Sequence, residues 1–192
     1  MSKRIGIFGG SFSPIHIGHL ALANYLCAYD YVDEMWFMVS PRNPLKDSEE
    51  LWDDEFRLQL VRQATKEYAR FHVCDVEFSL PRPSYTITTF DYLHKLYPDY
   101  TFVLIIGSDN WLQFNLWKEH ERFIREYHIL VYPRSGFPLT NKQKLPSSVQ
   151  VVSAPLLNIS STFVRQALDE ERDVRYFLHP STVELLRERA KN

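Results

Sequence analysis

The sequence predicts an α/β fold built on a doubly wound, mostly parallel sheet. Three observations predict it. Apolar runs of strand length alternate with helical segments along all 192 residues. Those runs are continuous rather than alternating, as in strands covered on both faces. Glycine- or proline-rich loops follow the strands at their carboxyl ends, where open α/β sheets bind ligands.

The elements follow in order. Ile5 to Phe8 is the opening strand, closed by Gly9 and Gly10. Leu20 to Tyr29 is apolar on nearly every side, the pattern of a deeply packed helix. Met35 to Val39 is a second strand, emptying into the loop PRNPLKDS with Arg42 and Lys46. Asp53, Asp54 and Glu55 make an acidic first turn for a helix whose face carries Phe56, Leu60 and Ala64. Phe71 to Val76 is a third strand, and the loop PRPSYT leads into a helix over Ile87 to Leu96. Thr101 to Ile106 reads as a central strand running into GSDNW, and the helical stretch Trp111 to Glu126 breaks around Trp117. His128 to Tyr132 and Val149 to Val152 complete six strands. The stretch NISSTFVRQALDEE is a helix capped by Ser160, Ser161 or Thr162. Ser181 to Ala190 closes the chain, with Ser181 and Glu184 in a capping-box pattern.

Composition bounds the function. A chain this long with 45% hydrophobic residues can bury a proper core, and no repeat or linker marks a second unit, so residues 1–192 are expected to form a single domain. A net charge of −2 gives no general attraction to nucleic acid or to anionic membranes, so a phosphate ligand must be held by local groups. Cys27 and Cys74 sit in apolar stretches and read as reduced core residues. With no export signal and no membrane-length apolar run, the cytoplasm is the expected compartment.

The chemistry concentrates in IGIFGGSFSPIHIGHL, Ile5 to Leu20. Glycines let a backbone turn tightly while its N–H groups approach a phosphate, and the helix N-terminus beyond adds partial positive charge. His16 and His19 are three apart, on one side of the first helical turn, and Gly18 leaves room for a ring or sugar. Gly-Gly after a strand is also an ordinary turn, and an HxxH pair can ligate a metal, although zinc needs a third ligand that no neighbour supplies.

As a whole, GGSFSPIHIGH resembles the signature of the nucleotidyltransferases that carry a GG-(S/T)-FDPxHxGH loop on a Rossmann-like fold, and within them the nicotinate mononucleotide adenylyltransferases. The departure is Ser13 where the family usually has Asp. ISSTFVR, Ile159 to Arg165, resembles the family's ISSTxIR, with Val164 for Ile. Read alone, that segment is also a well-capped helix with a solvated arginine. Gly107 and Asp109 in GSD match a GxD that contacts adenosine; Asp109 also reads as a helix N-cap. Trp117 matches a tryptophan that stacks on the nicotinate ring, and core packing is its other reading. Ser84, Tyr85 and Thr86 match SYTxxTL, with Thr88 where Asp is common and Phe90 for Leu. Lys46 and Arg134 match basic loop residues.

The resemblance implies adenylyl transfer from ATP to nicotinate mononucleotide in NAD biosynthesis, releasing pyrophosphate. His16, His19 and Arg165 would be catalytic. Gly9, Gly10, Ser11, Gly18, Gly107, Asp109, Arg134, Ser160, Ser161 and Thr162 would bind ATP. Lys46, Ser84, Tyr85, Thr86 and Trp117 would bind the mononucleotide. Mg2+ would be held through the ATP phosphates and water, with no protein metal site. The partners are these small molecules, with neither nucleic acid nor membrane. Two rivals stand beside this reading: a related adenylyl- or cytidylyltransferase acting on another phosphate, and a nucleotide-binding regulator of weakened activity.

Overall fold

The computed structural model describes residues 2–41, 51–139 and 144–189. Six strands form one all-parallel sheet: β1 (Lys3–Gly10), β2 (Glu34–Val39), β3 (Phe71–Cys74), β4 (Tyr100–Gly107), β5 (His128–Tyr132) and β6 (Val149–Val151). Their order is β3-β2-β1-β4-β5-β6. The winding reverses at β1, which pairs with β2 on one side and β4 on the other, so a crevice opens beyond the carboxyl ends of β1 and β4.

Alternating side chains divide the core into two layers. Phe8, Phe37, Val103, Ile105 and Leu130 pack against helices α1 (Ile17–Ala28) and α2 (Asp54–Thr65). Ile7, Leu104, Ile106, Ile129 and Val131 face the other way, against α3 (Thr86–Leu96) and α5 (His120–Glu126). Each such aliphatic, wholly removed from water, contributes about 1.5–3 kcal/mol. This two-sided burial is why the strands read as continuous apolar runs.

Between β4 and α5 lie the short helix α4 (Ser108–Leu112) and a 3-10 turn over Phe114–Leu116, so the break expected at Trp117 is present. Glu119, in the left-handed region at φ 53°, starts α5. After β6 come α6 (Ser161–Asp169) and α7 (Pro180–Arg189), joined through Val164, Val174 and Leu178.

Three expectations need correction. The third strand stops at Cys74, because Val76 already belongs to a 3-10 turn. Helix α1 begins at Ile17, three residues ahead of the apolar stretch that suggested it. Ser181 is not the cap of the last helix: Pro180 opens it, with φ already suited to a first turn, and the Ser181 hydroxyl lies 3.0 Å from the Gln63 carbonyl, to which it donates.

Candidate active site

The loop leaving β1 brings the imidazoles together by local geometry. His16 is not on the first turn of α1 but at its N-cap, with extended backbone (φ −139°, ψ 170°). The His16 amide, an orphan donor at a helix start, is satisfied by His19 Nδ1 at 3.2 Å. The acceptor role of that nitrogen fixes the tautomer, so the His19 ring proton sits on Nε2. The two rings stack at 3.7 Å and 23°, and Phe8 and Phe12 meet the His19 ring edge-on. Phe12 holds a positive φ of 45° in the same loop.

His16 is 4% exposed, and its Nδ1 has no hydrogen-bond partner among the described residues. Burial, then the neighbouring Arg134 charge, holds this imidazole down at about 4, so it is neutral near pH 7. Gly18 makes the arrangement possible: a Cβ there would stand 3.0 Å from His16 Cε1 and Nδ1.

The late helix closes on this loop. Ser161 Oγ donates to the Pro14 carbonyl at 2.9 Å, and an Arg165 Nη donates to the Ser13 carbonyl at 2.8 Å. Ser160 is the N-cap of α6, accepting from the Phe163 amide, while Thr162 Oγ1 accepts from Arg165 at 3.4 Å. Residues read from sequence as phosphate contacts therefore also fasten α6 to the histidine loop. Ser13 is wholly buried, and its hydroxyl accepts from the Trp52 amide at 3.1 Å. At this position a serine ties the loop to the segment entering α2.

Two cavities flank the site and share Phe8 and Tyr132 as walls. One, of about 100 Å³, is lined by His16, Gly18, His19, Arg134 and Ser160. The other, of about 170 Å³, is lined by Gly9, Gly10, Ser11, Ser84, Tyr85, Thr86, Gly107 and Trp117. The residues expected to bind ATP are thus divided: the glycine turn and Gly107 border the chamber that also holds Ser84–Thr86 and Trp117. Trp117 Nε1 is buried and without a partner among the described residues. Asp109, Ser161, Thr162 and Arg165 line neither chamber. Asp109 Oδ2 lies 3.5 Å from Arg134, while its Oδ1 is buried and unpartnered among the described residues. Gly107 has no room for a side chain, since a Cβ would fall 2.3 Å from Asp109 Oδ1 and 2.6 Å from Arg134 Cδ. Lys46 lies outside the described residues.

One organising residue was missed. Arg57, on α2, is fully buried. It donates to the carbonyls of Ser11, Ser40 and Trp52 and pairs with Asp54, joining the loops after β1 and β2. The signal was its spacing, three before Leu60 and four before Val61, which places it on the buried face.

Among the described residues no three His, Cys, Asp or Glu side chains cluster as metal ligands, and no helix is long and apolar enough to cross a membrane. Cys27 and Cys74 are buried free thiols, both pushed up to about 11 chiefly by burial.

Residues 7–167 match the family model described as cytidylyltransferase-like. A probable nicotinate-nucleotide adenylyltransferase of Bacteroides thetaiotaomicron is 60% identical over 185 residues, spanning 96% of this chain and 91% of the relative. One from Bacteroides fragilis is 58% identical over 178 residues, 93% and 88% of the two chains. Among solved structures, nicotinic acid mononucleotide adenylyltransferase of Plasmodium falciparum, complexed with NaAD, superposes with a TM-score of 0.78 at 21% identity, covering 97% of this chain and 95% of that one. A putative nicotinate-nucleotide adenylyltransferase of Vibrio parahaemolyticus gives 0.71 at 22%, covering 97% and 93%. At those identities the likeness speaks to the fold.

Proposed function

The chain belongs to the cytidylyltransferase-like family, and from that premise, with relatives named nicotinate-nucleotide adenylyltransferases, we propose that it transfers the adenylyl group of ATP to nicotinate mononucleotide. The observation that carries this reading is the pair of chambers meeting at Phe8 and Tyr132, one beside the histidines and Arg134, the other beside Ser84–Thr86 and Trp117. A two-substrate transfer requires such neighbours.

The 5′-phosphate oxygen of the mononucleotide bonds to the α-phosphorus of ATP while the bond to the bridging oxygen breaks, and pyrophosphate departs. Reactions of this kind need alignment and charge neutralisation more than covalent help from the protein. His16, neutral, and His19 act as hydrogen-bond donors to phosphate oxygens, with Arg134 supplying the nearby charge. Ser160 and the free amides at the α6 N-terminus receive the departing phosphates, and Ser161 and Arg165 hold that helix end against the loop. Gly9, Gly10 and Ser11 carry the backbone past the junction of the chambers. ATP enters as its magnesium complex, the ion bound by phosphate oxygens and water.

Pyrophosphate release is measured with ATP plus nicotinate mononucleotide, nicotinamide mononucleotide or phosphopantetheine. Turnover of nicotinate mononucleotide above the others supports the reading. ATP binding without turnover of any acceptor refutes it in favour of a regulator, and phosphopantetheine turnover favours the sister reaction. His19→Ala slows turnover by about 10²-fold or more while leaving the melting temperature within a few degrees.

A further inference from the structure

The larger chamber has an unusual charge inventory. Of its described lining residues, two are charged, Glu77 and Lys118. Glu77 is 4% exposed and accepts the Thr89 hydroxyl at 2.9 Å, so its carboxyl group is fixed inside the wall. By itself a buried carboxylate opposes entry of an anion, and a chamber bounded by it, Phe114, Trp117 and Ile106 would favour a ring whose substituent is uncharged.

Lys118 alters that balance. It follows Trp117 directly, and its Nζ stands 4.5 Å from the centre of the Tyr85 ring, which also lines the chamber. Lys118 is in no ion pair among the described residues, and its ammonium lies against the negative face of the aromatic ring. A contact of that strength is readily exchanged for a carboxylate.

We propose that Lys118 is a specificity-determining residue that selects the acid over the amide form of the pyridine ring, its ammonium resting on Tyr85 at the mouth and pairing with the ring carboxylate of the bound mononucleotide. This rests on the function proposed above and extends it to a side chain that the sequence motifs do not single out. The choice between acid and amide is then a contest between Glu77 and Lys118, with Tyr85 as the platform that keeps the ammonium at the mouth.

The test uses the full chain and its Lys118→Met and Lys118→Arg variants, with kcat and KM measured for nicotinate and nicotinamide mononucleotides at two salt concentrations. Lys118 is exposed, so neither variant threatens the fold. For Lys118→Met, kcat/KM with the acid falls about five-fold, mostly through KM, while the amide value is unchanged or rises; a partly exposed ion pair has that magnitude. Lys118→Arg keeps the preference, and added salt erodes it in wild type but not in Lys118→Met. An unchanged acid-to-amide ratio in Lys118→Met, or an equal fall for both substrates, overturns the assignment while leaving the proposed reaction intact. No turnover of either substrate by wild type overturns both.

Discussion

Gly18→Ala separates the position of an imidazole from its presence. A Cβ on Gly18 would lie 3.0 Å from Cε1 and Nδ1 of His16, a contact tight enough that the ring must give by a few tenths of an ångström. The ring has little room to do so, since it stacks on His19 at 3.7 Å and is 4% exposed. Stability moves the other way: alanine is favoured over glycine within a helix by up to ~1 kcal/mol, roughly 2–4 °C in a chain of this size. Strain from the displaced ring offsets part of that gain, so the melting temperature should stay level or rise slightly. The rate should not. A misplacement of ~1 Å can cost about 10²-fold, so a few tenths of an ångström should lower kcat about ten-fold. Pyrophosphate-release kinetics and thermal unfolding on the same preparation read both quantities. Wild-type kcat would refute the reasoning that the His16 ring position limits the rate, and a large fall in melting temperature would show that the helix, not the ring, had yielded.

Arg57→Met leaves the carbonyls of Ser11, Ser40, Pro41 and Trp52 without this donor and should cost about 3 kcal/mol, or roughly 6–12 °C by calorimetry. Arg57→Lys should recover little, because one ammonium cannot span Ser11, Ser40, Trp52 and Asp54; a full recovery would contradict the bridging role. Because His16 is held at about 4, below its ordinary 6.5, the unfolded chain takes up a proton that the folded one refuses as pH falls from about 6.5 to 4. Stability contributed by this group is therefore lost on acidification through that window, by up to about 3 kcal/mol, and is flat below it. Arg134→Gln removes the second cause and should move the His16 titration upward in ring-proton NMR; an unmoved titration would leave burial as the sole cause. Gly107→Ala should raise the KM for ATP about ten-fold by driving Asp109 and Arg134 apart, and an unchanged KM for ATP in steady-state kinetics would contradict this.

The alternation of strands and helices was legible because two-sided burial leaves a plain apolar signature, and all six strands fall where those runs lie. The start of α1 was legible to within one residue from the placing of His16 and His19 on its first turn, but not from the usual cap residues. Gly18 and a histidine cap weaken the ordinary signals, and the capping acceptor is the His19 ring rather than a hydroxyl or carboxylate. Arg57 was passed over because apolar periodicity anchored on Phe56, Leu60 and Ala64 centres the face slightly off the true one, which takes in Arg57, Leu58 and Val61. The division of GGS and Gly107 from the histidine chamber depends on three-dimensional curvature of loops, which spacing along a chain does not encode. The meeting of α6 with the first loop was implied by the two motifs, but the bonds that make it, Ser161 to Pro14 and Arg165 to Ser13, use carbonyls that no side-chain pattern announces.

Those two bonds join residues 147 and 152 positions apart. Closing so long a span is slow relative to the local pairing of β1, α1 and β2, and the central sheet is complete in sequence before Ser160 has been made. The first loop can therefore fold with its sheet neighbours before α6 is there to fasten it, and the docking of α6 is a separate, long-range step.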